Sequence, residues 1–401
     1  MQDSQGDAGS TGPTRRGFLD YYGQRDVIPV QQVAAGIDVR RRQRLALYRT
    51  LGVPALAFRG SRVVEFGPGT GDNSEIVAEL GPASYDLVDG NDASIRALEA
   101  KLADGRMDPR IVRVVRADFN AERIDGVPDG GYDVVIAEGC IPGQVDPVGT
   151  LQRIARFTGP DGLLLVTAVD NLSVLPENLC RIAMAPVLAS TDGDFERSVE
   201  VACAMFEPHM AALPSRSRST RDWVIDMLMH PLPAGWTMSV VDAIRALPDF
   251  RFHGCSPDFH TDWRWYKSMT GPSSDDAELA VRQWRSSAHY ALDHRCDPDR
   301  IRRIGTDEAA LLERSGGRIG ALSHEIHGTR DLKRLGDVDQ ELEAISRLLE
   351  GIGGMAGTVA SIDDFRRSIP SLASGRTDHR WVEFLGWFGR GQQNLALVRA
   401  D

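Results

Sequence analysis

Glycines at alternate positions give the clearest chemical signal in the sequence. The run from Val63 to Gly71 reads VVEFGPGTG, so that apolar residues lead into Gly67, Gly69 and Gly71. Glycines spaced in this way let a backbone turn sharply and approach a ligand, and a following helix offers free N–H groups. The GxGxG spacing differs from the GxGxxG of dinucleotide-binding proteins. The run therefore predicts a ligand site at the end of a first strand.

Acidic residues recur where the neighbouring strands are predicted to end. Glu65 lies inside the glycine-rich run, Asp89 ends the second strand and Asp118 ends the third. A carboxylate at Asp89 can accept both ribose hydroxyls of a nucleoside, and Asp118 can accept an adenine amino group while Phe119 covers the ring. Helix capping by Asp118 and core packing by Phe119 are the alternatives. Three such loops in register favour a nucleoside site.

Five short runs rich in valine, leucine and isoleucine lie between Val63 and Val169. Stretches long enough for a helix separate them, which is typical of a parallel sheet with helical crossovers. After Asn171 the pattern changes to longer helical segments. The expected fold class is α/β: a Rossmann-like sheet with helices on both faces, plus large α-helical insertions.

This pattern divides the chain into a sheet core and helical additions. We expect strands near 249–257 and 392–400 to complete the sheet. The predicted parts are a disordered tail (1–16), N-terminal helices (17–60), the core (61–170), a helical insertion or cap (171–248) and a helical C-terminal region (258–388).

The segments EFGPGTG (65–71), LVDGN (87–91), ADF (117–119) and AEG (137–139) resemble the class I S-adenosylmethionine-dependent methyltransferases. The resemblance covers Ser61 to Asp170 and implies S-adenosylmethionine as the cofactor. Helix capping is an alternative role for one predicted residue, Asn73. The predicted cofactor-binding residues are Glu65, Gly67, Pro68, Gly69, Gly71, Asn73, Asp89, Gly90, Asn91, Asp118, Phe119, Glu138 and Gly139.

The rest of the chain is similar, more loosely, to bacterial methyltransferases found among genes for cell-surface polysaccharides. The segments that carry this similarity are VDGN (88–91), SP (256–257), DWRWYK (262–267) and GRGQQ (389–393). This resemblance implies methyl transfer to an oxygen or nitrogen atom of a small-molecule or glycan-precursor acceptor.

A titratable pair, His260 and Asp262, lies among aromatic residues after the strand predicted near 249–257. A hydroxyl acceptor must lose its proton near the transition state, and a histidine or carboxylate can take it. We therefore name these two residues as catalytic candidates, with Trp263 and Trp265 as substrate-binding candidates. The favoured alternative is structural: tryptophans in the core, a surface histidine and an aspartate that caps a helix.

Three further residues are candidates for substrate binding. Tyr21 and Tyr22 precede the first helices and could fold over the cofactor as a lid, with helix packing an equal explanation. Cys140 follows the fourth strand, where related enzymes place residues that face the transferred methyl group. Direct methyl transfer does not require its thiol chemistry.

Composition limits the other function classes. The chain has 401 residues and a formal net charge of −11, which argues against a nucleic-acid surface. Its five cysteines are odd in number and contain no CxxC, so we predict neither a disulfide framework nor a metal site. We expect a cytoplasmic protein without a signal peptide or membrane insertion, and a homo-oligomer stays open.

Two other functions fit a sheet of this kind. An NAD-dependent oxidoreductase is one, although the GxGxG spacing and the absence of a clear Tyr-x-x-x-Lys pair argue against it. A non-catalytic nucleotide-binding or scaffold protein is the other, because a fold alone does not establish activity.

Overall fold

A seven-stranded sheet forms the centre of the molecule. The structure is a computed structural model that describes residues 21–22, 36–214, 216, 218–268, 276–297 and 302–400. The predicted tail and most of 17–35 lie outside these residues. The strands are β1 (Arg62–Phe66), β2 (Ser84–Asp89), β3 (Val112–Arg116), β4 (Tyr132–Ala137), β5 (Thr158–Ala168), β6 (Phe250–Ser256) and β7 (Gln393–Arg399).

The strand order is β3-β2-β1-β4-β5-β7-β6. Strands β1 to β5 pair in parallel, and β7 runs antiparallel to both of its neighbours, β5 and β6. This mixed sheet confirms the expected Rossmann-like fold class. Because β1 to β5 are parallel, all of their carboxyl ends lie at one edge of the sheet. The loops after β1, β2, β3 and β4, which carry the predicted cofactor residues, therefore meet at that carboxyl edge.

Helices cover both faces of the sheet. Asparagine, aspartate and serine side chains cap several of them by accepting backbone N–H groups. The α-helices are α1 (Ile37–Thr50), α2 (Asp72–Glu79), α3 (Asp92–Ala103), α4 (Pro147–Ala155), α5 (Leu175–Ala183), α6 (Ala185–Ser190), α7 (Phe195–Ala211), α8 (Thr220–Trp223), α9 (Val240–Arg245), α10 (Asp276–Ser287), α11 (Thr306–Thr329), α12 (Leu335–Glu350) and α13 (Ala356–Ala373).

Shorter helical segments join these elements. A π-helix, Val224–Leu228, continues α8, and 3-10 helices are at Ala55–Ala57, Tyr266–Ser268, Ala288–Leu292 and Leu332–Arg334. No helix within the described ranges is long and apolar enough to cross a membrane.

Alternation along β1 divides the hydrophobic core into two layers. Val63 packs on one face with α1, α2 and α3, while Val64 and Phe66 pack on the other face with α4 and the later helices. Successive side chains of a strand point to opposite faces, so a continuous apolar run is buried on both faces of the sheet. The helical insertions therefore enlarge one face only, and Glu65 shares the α1 face with Val63.

The return of the chain into β7 depends on a close backbone contact. A Cβ atom at Gly389 would lie 2.0 Å from the carbonyl oxygen of Ser173 and 2.9 Å from that of Ala291. Neither neighbour is a flexible side-chain end. Only glycine lets the segment before β7 pass this close to the loop after β5.

We expect Gly389→Ala to lower the free energy of unfolding by on the order of 2–3 kcal/mol, because backbone must move to admit the Cβ atom. Denaturant unfolding followed by circular dichroism measures this. Gly357→Ala in α13 is the matched control, since nothing lies within 4 Å of its Cβ position. The control should be neutral or up to about 1 kcal/mol more stable. Equal effects of the two substitutions would contradict the explanation.

Candidate active site

The glycine-rich loop after β1 adopts a left-handed backbone. The φ angles of Gly67, Gly69 and Gly71 are +67°, +57° and +72°. A Cβ atom at Gly67 would lie 2.5 Å from the Cβ of Cys140, so the loops after β1 and β4 touch there. Pro68 accepts the Gly71 N–H at 3.0 Å, which closes the turn just before α2. The loop is thus a tight turn pressed against the end of β4.

Asp89 is buried at the carboxyl end of β2, beside this loop. Its Oδ2 accepts the Gly69 N–H at 3.3 Å, and its Oδ1 accepts the Asn91 N–H at 2.8 Å. Burial raises the pKa of Asp89 to about 6, although hydrogen bonds from these backbone groups and Gly90 oppose the shift. Asn91 also caps α3 through Ala93 N–H. The carboxylate is therefore ionised at neutral pH and held against the glycine-rich loop.

The loop after β3 carries Asp118 and Phe119. The Asp118 carboxylate accepts the Asn120 N–H at 2.8 Å, which is a local turn. Phe119 is buried in the core, and its ring packs edge-on against that of Phe66 with 6.4 Å between the ring centroids. Both residues lie at the carboxyl edge, and these contacts give each of them a structural role.

The segment after β4 is anchored on both sides. Gly139 has a φ of +75° and donates its N–H to Thr167 at 2.6 Å. Cys140 is buried, and its thiol donates to the Phe66 carbonyl at 3.2 Å. Burial raises the pKa of this thiol well above its usual range, with a further rise from nearby Asp89. The thiol is therefore protonated and packs against the glycine-rich loop.

Buried charges lie between α1 and the carboxyl edge. Arg44 forms an ion pair with Glu138, and its side chain is only 5% exposed. Glu65 accepts hydrogen bonds from Ser74 at 2.7 Å and from Tyr85, and burial raises its pKa. Glu65 thus fixes α2 to the sheet, while Arg44 fixes the position of Glu138.

A cavity of about 220 Å³ opens beside this ion pair. The cavity lies between α1, the first turn of α2, the carboxyl end of β4 and the first residues of β7. Asn73 and Glu138 are the predicted cofactor residues that line it. The complete lining is Arg40, Gln43, Arg44, Leu47, Asn73, Glu138, Gln392 and Asn394.

Tyr21 and Tyr22 pack on the helical insertion. The Tyr21 hydroxyl donates to the Ile225 carbonyl at 2.9 Å, and the Tyr22 hydroxyl donates to Asp226. Both rings contact the ring of His230, at 4.5 and 5.2 Å between centroids. The two tyrosines thus hold the π-helix, and a lid function stays a prediction.

His260 and Asp262 follow β6, so β5 and β7 separate their strand from β4. Asp262 is ion-paired with Arg264, whose hydrogen bonds lower its pKa to about 2. Such a carboxylate is a weak base at neutral pH. Trp263 and Trp265 are 91% and 62% exposed, so the expected core packing is wrong for both. Their binding role and the catalytic role of the pair stay predictions.

Two buried carboxylates after β5 were missed by sequence analysis. Asp170 accepts the Leu172 N–H at 2.9 Å, and burial raises its pKa to about 6. Glu177, in the first turn of α5, is 8% exposed, and burial raises its pKa to about 7. Its Oε2 has no hydrogen-bond partner within the part of the chain that the structure describes. The only signal in the sequence was an acid shortly after a predicted strand.

Comparison with known proteins finds a family model that matches the core. The model of a methyltransferase domain family matches residues 39–211, less than half of the chain. The match and the Rossmann-like sheet together indicate a methyltransferase domain in the core. S-adenosylmethionine is the cofactor of this domain. A comparison with curated proteins gives no match.

Several solved structures are similar to parts or all of the chain. An arsenic(III) S-adenosylmethionine methyltransferase from Chlamydomonas reinhardtii is 22% identical over 29% of this chain and 40% of its own, with a TM-score of 0.26. An S-adenosylmethionine-dependent methyltransferase from Mesorhizobium loti is 18% identical over 35% and 57%, with a TM-score of 0.29. The [4+2]-cyclase SpnF is 11% identical over 98% of both chains, with a TM-score of 0.40. The chain thus covers less than two thirds of the first two structures.

The carboxyl edge of the methyltransferase domain suits its cofactor. The left-handed glycines leave backbone free of side chains, and Asp89 places a carboxylate beside them. Across the loop, the Glu138 Oε1 atom is buried without a hydrogen-bond partner among the described residues.

Glu177 should make stability depend on pH. Because its folded-state pKa is about 7 against an ordinary 4.5, folding favours the protonated form. Its contribution to stability is therefore complete below about pH 4.5 and is lost as the pH rises through 7. Glu177→Gln removes this loss. The variant's gain in unfolding free energy over wild type should be on the order of 2–3 kcal/mol larger at pH 8 than at pH 5.

Thermal and denaturant unfolding at both pH values measure this gain. Glu99→Gln is the control, because Glu99 is an exposed glutamate on α3. The control variant should differ from wild type by the same amount at pH 5 and pH 8. A gain from Glu177→Gln that does not change with pH would contradict the assigned burial cost.

Proposed function

We propose that the chain transfers the methyl group of S-adenosylmethionine to an oxygen or nitrogen atom of a small-molecule or glycan-precursor acceptor. The observation that carries this proposal is the position of Asp89, whose carboxylate lies against the Gly69 N–H in a left-handed loop. This arrangement offers acceptors for ribose hydroxyls next to an open backbone. The match of residues 39–211 to a methyltransferase domain supports it.

The protein's own contribution to this reaction is positioning. The cofactor supplies a methyl group that is already electrophilic, because it is bonded to a sulfonium sulfur. The left-handed loop and Asp89 hold the nucleoside end, and the close contact of Gly67 with Cys140 fixes the loop against the end of β4. Holding two reactants in line supplies several kcal/mol, up to about 7–11 in the best cases.

A hydroxyl acceptor also requires a base. Asp262 is a poor base, because its pKa is about 2 and its carboxylate is ion-paired with Arg264. We therefore propose His260, the other candidate from the sequence, as the base. A nitrogen acceptor that is already neutral needs no base before it attacks the methyl group.

The glycan-precursor part of the proposal has separate support. Trp263 and Trp265 present exposed rings, and Lys267 lies 4.9 Å from the Trp265 ring centroid. Exposed aromatic faces suit the apolar face of a sugar ring. The similarity of this segment to methyltransferases of cell-surface polysaccharide genes points to the same acceptor class.

Cofactor binding by Asp89 is tested by calorimetric titration of S-adenosylmethionine and S-adenosylhomocysteine. Asp89→Ala should weaken both on the order of 100-fold, because two charge-assisted hydrogen bonds to ribose are lost. Wild-type affinity should rise as the pH increases through about 6, where Asp89 ionises. Asp89→Asn should remove that pH dependence.

Asp104→Ala is the control, because Asp104 is an exposed aspartate at the end of α3. It should bind both ligands like wild type. Absence of binding to folded wild-type protein would overturn the proposal and make NAD the next ligand to titrate. Binding without methyl transfer to any acceptor of a sugar and small-molecule panel would favour a non-catalytic role.

A further inference from the structure

An exposed aromatic patch lies on the segment that follows β6. It consists of Trp263, Trp265 and Tyr266, which are 91%, 62% and 67% exposed. The Trp265 and Tyr266 rings stand nearly perpendicular, at 76°, with 5.8 Å between their centroids. Single exposed apolar side chains are common, whereas a contiguous group of them marks an interaction surface. Folding gains little from rings that stay in water, so a ligand is the better explanation for this patch.

The backbone beneath the patch is fastened to α10 at two points. Gln283 accepts the Thr261 N–H at 2.7 Å and donates to the Thr261 carbonyl at 2.6 Å. Arg264 donates to Asp262 at 2.6 Å and to Asp276, the first residue of α10, at 2.5 Å. Rings on a backbone that is already held lose less conformational freedom when they bind a ligand. The patch is therefore a prepared surface.

Helix α10 sets the distance between the patch and the carboxyl edge. Trp284 donates a hydrogen bond to Asp170 in the loop after β5, so this part of α10 lies at the edge. The first attachment, at Gln283, therefore places His260 near the edge, whereas the second, at Asp276, is seven positions away along the helix. A helix rises about 1.5 Å per residue, so the patch lies roughly 10 Å outward from His260.

Charge in and around the patch favours a neutral ligand. Arg264 is ion-paired with both Asp262 and Asp276, and the Lys267 ammonium lies 4.9 Å from the Trp265 ring centroid. The whole chain has a formal net charge of −11, which repels an anionic surface. Aromatic faces suit the apolar face of a sugar ring, which carries no charge.

We propose that the aromatic patch binds a neutral oligosaccharide chain, while another sugar unit of the same chain reaches the carboxyl edge near His260. A sugar ring is about as large as one aromatic ring, so a single unit does not span the roughly 10 Å between these places. The inference rests on the proposed function and deepens it, because it takes the methyl acceptor to be a glycan. It narrows that acceptor to a chain of several sugar units.

Affinity electrophoresis tests the patch without methyl transfer. The full chain migrates through native gels that contain dextran, galactomannan, xylan or β-glucan, and at least one polymer should retard it. Trp263→Ala and Trp265→Ala should each raise the dissociation constant on the order of 10-fold, because a stacked ring is lost. Leu56→Ala is the matched control, since Leu56 is an apolar side chain outside the patch that is 69% exposed. It should be retarded like wild type.

Chain length tests the connection to methyl transfer. With oligosaccharides of the retarding polymer, a hexasaccharide should bind wild type on the order of 10-fold more tightly than a disaccharide, because more units meet the patch. In assays with labelled S-adenosylmethionine, the double tryptophan variant should raise KM for the hexasaccharide about 10-fold and keep kcat within about twofold. Its kcat/KM for the disaccharide should match that of wild type.

Retardation that the tryptophan variants lose, together with tighter binding of longer chains, supports the assignment. Retardation by no polymer, or retardation that the variants keep, overturns it. Binding of wild type to phosphatidylcholine and phosphatidylglycerol vesicles that the variants lose would instead assign the patch to a membrane surface. A chain that binds the patch and is not methylated overturns the connection to the acceptor.

Calorimetry with S-adenosylhomocysteine separates this inference from the proposed function. Normal binding of S-adenosylhomocysteine without any saccharide binding overturns the inference alone. Absence of that binding in folded wild-type protein overturns the proposed function, and a saccharide site at the patch is then decided by the electrophoresis alone. Circular dichroism should show that all variants are folded.

Discussion

The contact between Gly67 and Cys140 fixes the geometry on which the site depends. With no Cβ at Gly67, the loop after β1 comes against the Cys140 side chain, and the Cys140 thiol bonds to the Phe66 carbonyl. The Gly67 N–H donates to the Val88 carbonyl on the other side. The ends of β2, β1 and β4 are thus joined through one residue. Asp89 and Glu138 then lie on either side of a single loop.

Ionisable groups buried near this edge are costly for stability. Arg44, Glu138, Asp89 and Glu177 all have side chains largely removed from water, and burial raises the pKa of Asp89 and Glu177. Taking a charge out of water costs several kcal/mol, and an ion pair regains only part of that. Clusters of shifted carboxylates are typical of functional sites.

The sequence alone predicted the fold class, because the signals for it are local. Alternation and apolar runs place the strands, and glycine at positive φ marks the turn after β1. Asp89 could be named because it directly ends a strand in such a pattern. Neither inference requires knowledge of distant contacts.

The remaining site residues depend on contacts between distant segments. Arg44 meets Glu138 across 94 positions, and Tyr21 meets Ile225 across 204. The periodicity of apolar residues in the sequence does not indicate which distant residues pair in this way. The pairing of Asp262 with Arg264 is the opposite case, since donor and acceptor are only two positions apart but the sequence gives no sign that the arginine folds back. A charged side chain near a predicted site is thus an ambiguous signal until its partner is known.

The loop after β5 connects the cofactor half of the molecule to its helical half. The Val169 N–H donates to the Met238 carbonyl, and the Ser173 hydroxyl donates to the Gly391 carbonyl just before β7. Cβ atoms at Gly316 and Gly320 of α11 would lie 2.8 Å from this loop, so the helix packs directly on it. The helical layer is therefore fastened at the carboxyl edge itself.

The helical insertion also contacts a second loop of the carboxyl edge. The Gly143 N–H in the loop after β4 donates to the Trp236 carbonyl of the insertion at 2.8 Å. Since β4 and β5 are neighbours in the sheet, the insertion is tied to the ends of two adjacent strands. A substitution in the insertion can therefore move the loop after β4 as well as the loop after β5.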